Sequence, residues 1–92
     1  MVSFVIGVVL QAQCAFKGFP LTGRVQFVDR FPDIKVQVVK EWANLHVQKV
    51  TSFPRQCGQW QIVTSFPDVR VQIVDRFPDL KIKYVESWPG IR

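Results

Sequence analysis

His46 is the single histidine of this 92-residue chain, and general acid–base chemistry most often begins with that residue type. It sits between Leu45 and Val47, at a place where comparable stretches carry Lys35, Arg70 and Lys81. That placement reads as a solvent-facing strand residue. Ser52, Ser65 and Ser87 offer hydroxyls, but each precedes an aromatic residue at one recurring position, as Arg30 and Arg76 do elsewhere. The carboxylates recur too. Asp29, Asp75 and Glu86 stand two residues before an aromatic, and Asp33, Asp68 and Asp79 stand two after. A pair such as Asp29 and Asp75 could share acid–base work, but repeated placement reads as turn capping or pairing with Arg. No Ser-His-Asp set, Gly-rich phosphate loop or calcium loop can be assembled. Two cysteines and one histidine fall short of a four-ligand zinc site. The sequence therefore assigns no catalytic, cofactor-binding or metal residue, and the chain reads as a non-enzyme.

The elements that would position these residues form a repeat. Its aromatic markers are Phe31, Trp42, Phe53, Phe66, Phe77 and Trp88, spaced 11, 11, 13, 11 and 11 residues apart. All but Trp42 are followed by Pro, and Phe19-Pro20 resembles a further, degenerate marker. A period of eleven could mean a helical supercoil, but Pro at that frequency would break a helix at about 3 kcal/mol each. The intervals, such as Ile34-Lys35-Val36-Gln37-Val38 and Val69-Arg70-Val71-Gln72-Ile73, alternate apolar with polar residues and are rich in Val and Ile. That pattern predicts six or seven short strands, each with one buried face. Phe-Pro-Asp between them reads as a chain reversal, with each aromatic ring turned into the core. The middle unit, Phe53 to Trp60, is two residues longer around Cys57 and Gly58.

Composition bounds the rest. Forty-eight per cent of the residues are apolar, which suits one small folded domain. The net charge of +5 favours acidic partners, such as nucleic acid, anionic glycans or lipid headgroups, although the cations are dispersed. Lys35, Gln37, Arg70, Gln72, Lys81 and Lys83 could form a basic stripe across adjacent strands and bind polyanions without sequence preference. No run of apolar residues is long enough for a membrane helix. Residues 1–12, with the apolar run Phe4 to Leu10 and Ala12 before a candidate cut, read as a signal peptide that lacks a basic start. The alternative is one more strand. Cys14 and Cys57 read as a disulfide in an exported protein, which would contribute about 4 kcal/mol, or as two reduced thiols in a cytosolic one. Export implies a secreted or periplasmic location; otherwise the chain is cytoplasmic.

The tandem units Val-Asp-Arg-Phe-Pro-Asp, together with Gln13-Cys14-Ala15-Phe16-Lys17-Gly18 and Cys57-Gly58-Gln59-Trp60, resemble the bacterial septoil knot domain proteins. The resemblance covers roughly residues 13 to 90. It implies a compact all-β domain over 13–92, a deeply threaded 7(1) knot and an exported protein, and it carries no catalytic residues. Trp42-Ala43-Asn44 and Arg55 depart from the pattern. The knot does not follow from strand periodicity, which fits a solenoid or small barrel equally well. The expected role is a small secreted structural or interaction module, with polyanion or nucleic-acid binding as the alternative. Oligomeric state and specific partner are not indicated by the sequence.

Overall fold

The computed structural model describes residues 14–92. Residues 1–12, read as a signal peptide or strand, lie outside the described residues. The chain forms β1 (Ala15–Phe16), β2 (Phe19–Pro20), β3 (Gly23–Phe27), β4 (Ile34–Val38), β5 (Leu45–Val50), β6 (Gln59–Ile62), β7 (Val69–Ile73), β8 (Leu80–Tyr84) and β9 (Gly90–Ile91). There is no helix among the described residues. Strands β1 and β2 form a hairpin whose tip, Lys17-Gly18, has φ of 53° and 86° at its two residues. That is the twist-matched geometry a two-residue hairpin needs.

The six strands β3 to β8 run parallel in the order β6-β3-β7-β4-β8-β5, and β5 pairs again with β6, so the sheet closes into a barrel. One register rule governs its seams. The third residue of a strand lies beside the first residue of the next at four seams: Val25 beside Val69, Val71 beside Ile34, Val36 beside Leu80 and Ile82 beside Leu45; counted from Gly58, one residue before β6, Trp60 holds the same third place beside Gly23. The pairing of Gln48 with Gln59 continues the rule at the last seam. A uniform two-residue step makes the six strands equivalent by rotation about the barrel axis.

This stagger explains the short connections. Parallel neighbours usually need a long crossover to bring the chain back. Here β3 ends at Phe27 beside Val71, and β4 begins at Ile34 beside the same residue. Six residues carry the chain sideways across β7. The same step leads from β4 across β8 to β5, from β6 across β3 to β7, and from β7 across β4 to β8. The chain thus circles the barrel once as β3, β4, β5 and again as β6, β7, β8, each circuit filling the gaps of the other.

The alternating pattern has its predicted effect inside. The first and third residues of β4, β5 and β7 and the third residues of β3 and β8 point inward, giving a fully enclosed set of Val25, Ile34, Val36, Leu45, Val47, Val69, Val71 and Ile82. Trp60 is fully buried, and its indole N–H donates to the Leu21 carbonyl at 3.1 Å, which satisfies the one polar atom the ring brings into the core.

Two expectations from the sequence are corrected. The Phe-Pro-Asp corners do not reverse the chain, because consecutive strands are parallel. The six marker rings do not face the core either: Phe31, Trp42, Phe53, Phe66, Phe77 and Trp88 are 77% to 89% exposed. The barrel interior is already filled by these aliphatic side chains and Trp60, and the connections run outside the wall, so rings at their apices have only solvent to meet.

Candidate functional site

Five of the six connections cross a strand and are fastened to it. Where residues 28–33 cross β7, the Val28 N–H donates to the Val71 carbonyl on one flank and the Asp33 N–H to the Arg70 carbonyl on the other. The Asp33 carboxylate accepts the Arg70 N–H at 2.8 Å. Asp68 does the same for Arg24, Asp79 for Lys35, and Asn44 for Lys81 through its amide oxygen. These Asp residues are therefore backbone caps, and Asn44 keeps the cap despite the change from Asp. From beneath, Gln72 reaches out to the Asp29 carbonyl, Gln37 to Asp75, Gln48 to Glu86 and Gln26 to Thr64. The recurrence of Gln at the fourth strand position was the signal for this clamp. Gln37 and Gln72, expected in the surface stripe, are thus committed to the connections above them.

All six connections, the five that cross a strand and the β5–β6 connection that does not, place their aromatic residue in the left-handed region. The φ values are 57° at Phe31, 62° at Trp42, 53° at Phe53, 52° at Phe66, 56° at Phe77 and 59° at Trp88. A side chain there costs about 1–2 kcal/mol in backbone sterics. Glycine takes such a conformation freely. Since the rings are also exposed, neither backbone fit nor core packing accounts for six bulky residues at these six places. By the rotational equivalence of the strands they form a girdle around the barrel.

A second band lies beside it. The outward second positions of β3, β7, β4 and β8 carry Arg24, Arg70, Lys35 and Lys81 on consecutive neighbours, all exposed. Asp68 approaches Arg24 at 4.0 Å, which is a weak surface pair. Lys83 on β8 and His46 on β5 lie side by side next in the register. His46 is half-buried beneath β9, where it faces Gly90. Desolvation, then the charges of Arg92 and Lys83, hold its pKa below the ordinary value. The connections are net negative, with Arg30, Lys40, Arg55 and Arg76 against all seven carboxylates, of which Asp33, Asp68 and Asp79 are the backbone caps. The other cations of the described chain, Arg24, Lys35, Lys49, Arg70, Lys81 and Lys83 on the strands, Lys17 at the hairpin tip and Arg92 at the end, carry its positive excess.

The remaining candidates are dispersed. Ser52, Ser65 and Ser87 are exposed on three separate connections, none with an imidazole partner. No group of three or more potential metal ligands converges among the described residues. Cys14 and Cys57 form a disulfide with their Cα atoms 5.8 Å apart, joining the hairpin to the β5–β6 connection. That connection differs from the others: Gln59 Oε1 accepts the N–H groups of Arg55 and Gln56, replacing the Asp cap. The Arg55 guanidinium stands 6.0 Å from the centre of the Phe53 ring. A cleft of about 380 Å³ opens at the barrel mouth, lined by Phe16, Leu21, Leu45 and Leu80 and rimmed by Asn44, Asp79 and Arg92. Two of those rim groups are already committed as caps. No helix of the described residues is long and apolar enough to cross a membrane.

Residues 18–92 match the family described as the 7(1) septoil knot domain. A protein of Synechocystis sp. (strain PCC 6803), described as uncharacterized, is 63% identical over 47 residues, which are 51% of this chain and 42% of that protein. The matched region thus spans less than half of that relative's length.

Proposed function

This chain belongs to the 7(1) septoil knot domain family, and we propose that it is an exported, non-enzymatic module that binds a polyanionic polymer on the outside of its barrel. The observation that carries this reading is the girdle. Six exposed rings occupy backbone positions that glycine would fill with less strain, and strain retained in a fold points to use. The band of Arg24, Arg70, Lys35 and Lys81 runs alongside, and with Lys49, Lys83 and Arg92 it outnumbers the capping carboxylates Asp33, Asp68 and Asp79 beside it. Exposed rings interleaved with cations are the combination that holds flexible charged polymers. Export is supported by the disulfide, which suits an oxidising compartment. The non-enzymatic part is supported by Asp33, Asp68 and Asp79 being spent on backbone caps and by the scattering of the hydroxyls.

The test is retention of the disulfide-intact chain on heparin and on single-stranded DNA as salt is raised. Retention at low ionic strength is expected, with log affinity falling linearly against log salt. Replacing Arg70, Lys35 and Lys81 together by Gln should flatten that slope by about two to three counterions, at roughly 0.7–0.9 per contact. Passage through both columns at low salt would end the polyanion reading and leave a purely structural module.

A further inference from the structure

The six corners are not alike, and the winding sorts them. Around the barrel they follow the order Phe31, Phe77, Trp42, Trp88, Phe53, Phe66, because β3, β7, β4, β8, β5 and β6 are successive neighbours. Two interleaved circuits bring each corner of the first beside its counterpart in the second. Asp29-Arg30-Phe31 thus neighbours Asp75-Arg76-Phe77, and Trp42 neighbours Trp88. The third indole, Trp60, is in the core, so the two exposed indoles of the chain, 89% and 81% accessible, stand at adjacent corners.

The surroundings of this pair are specific. The connection bearing Trp42 crosses β8, which carries Lys81 and Lys83 on its outer face. The connection bearing Trp88 crosses β5 over Gln48, and Arg92 donates to the Trp88 carbonyl. Beside the indoles in the chain stand the exposed polar groups Glu41, Glu86 and Ser87. A tryptophan face packs well against the C–H face of a pyranose, and carboxylate and hydroxyl oxygens accept from sugar hydroxyls. Carboxylates flanking a stacking platform repel a phosphate backbone, which places a charge at every nucleotide. The cations of β8 and Arg92 supply the complement for charges more widely spaced along a polymer.

We infer that Trp42 and Trp88 form a stacking subsite for the sugar rings of an acidic polysaccharide, with Lys81, Lys83 and Arg92 receiving its charges. This rests on the polyanion reading above and narrows its polymer to one class.

The experiment follows the intrinsic tryptophan emission of the disulfide-intact chain titrated with hyaluronate, whose carboxylates stand on alternate sugars, with neutral dextran and with a twenty-residue oligothymidylate. Affinity electrophoresis against the same three polymers serves the variant Trp42→Ala/Trp88→Ala. Hyaluronate is expected to perturb the emission and to lose at least tenfold in affinity in the double variant, whose thermal midpoint should stay within a few degrees. Oligothymidylate should bind more weakly and lose less. Equal or tighter binding of oligothymidylate with an equal loss would overturn the polysaccharide assignment while leaving the polyanion reading in place. Dextran binding as well as hyaluronate would remove the role of charge. Hyaluronate binding that the double variant leaves unchanged would remove the indoles. Failure of all three polymers to bind would overturn both readings.

Discussion

Asp79 and Lys35, forty-four positions apart, hold each other by two backbone bonds: the Asp79 N–H donates to the Lys35 carbonyl at 2.8 Å, and the Asp79 carboxylate accepts the Lys35 N–H at 2.8 Å. The second bond replaces the strand partner that the start of β4 lacks on that flank. Asp79→Ala should destabilise the chain by about 1–2 kcal/mol by leaving that N–H without its charged acceptor. Asp79→Asn should recover most of the loss, as Asn44 shows at the equivalent cap on Lys81. Chemical denaturation of the two variants checks this, and equal losses would contradict the capping role.

Phe31→Gly should be neutral or stabilising by about 0.5–1 kcal/mol. It relieves a left-handed side-chain conformation at φ 57° and gives up no packed surface, against the entropy of a glycine in the unfolded chain. A ring serving the core would instead cost about 3–5 kcal/mol on removal. The sign of the change in thermal midpoint separates the two cases.

Gly58→Ala should be strongly destabilising, by more than about 2 kcal/mol. A Cβ there would stand 2.4 Å from the His46 carbonyl oxygen and 2.7 Å from the Gly90 nitrogen, and the backbone is at φ 89°. Gly18→Ala, at φ 86° with open space around its Cβ, serves as the control and should lose only the cost of the backbone conformation. Comparable losses in the two variants would show that conformation rather than the close approach at Gly58 is responsible.

His46 ties stability to pH. Its folded pKa is lowered by desolvation first, then by Arg92 and Lys83, so the native state binds its proton less readily than the unfolded chain does. The contribution is fully present above the unfolded value near 6.5 and is lost as pH falls through the folded value. The thermal midpoint of the native chain should therefore drop on acidification below about pH 6.5 by more than that of His46→Gln. Parallel curves for the two proteins would rule the imidazole out as the cause.

The strand positions were legible in Ile34-Lys35-Val36-Gln37-Val38, because a two-residue period survives any arrangement of neighbours. The capping role of Asp33, Asp68 and Asp79 was legible as well, since a short carboxylate two residues after a corner has few other uses. What the sequence concealed was direction. A Phe-Pro-Asp corner reads as a reversal when strands are assumed to run antiparallel, and only the two-residue stagger between Val71 and Ile34 shows that the chain steps sideways instead. The rings went wrong for the same reason: six aromatics on a small chain look like core until the barrel is seen to be filled by Val, Ile, Leu and the single indole of Trp60. Placing Trp42 beside Trp88 also required the winding, since neither lies near the other in the chain.

The interleaving of the two circuits bears on how the protein is made. Strands β3, β4 and β5 form no seam with one another; each is bordered by members of the second circuit or by β9. As the ribosome delivers the first half, its strands therefore emerge with no neighbour to pair with. Contacts so distant along the chain make folding slow and delay it until the second half has arrived. A polypeptide that stays open through synthesis is in a suitable state to be threaded through a translocation pore, with assembly and disulfide closure deferred to the far side.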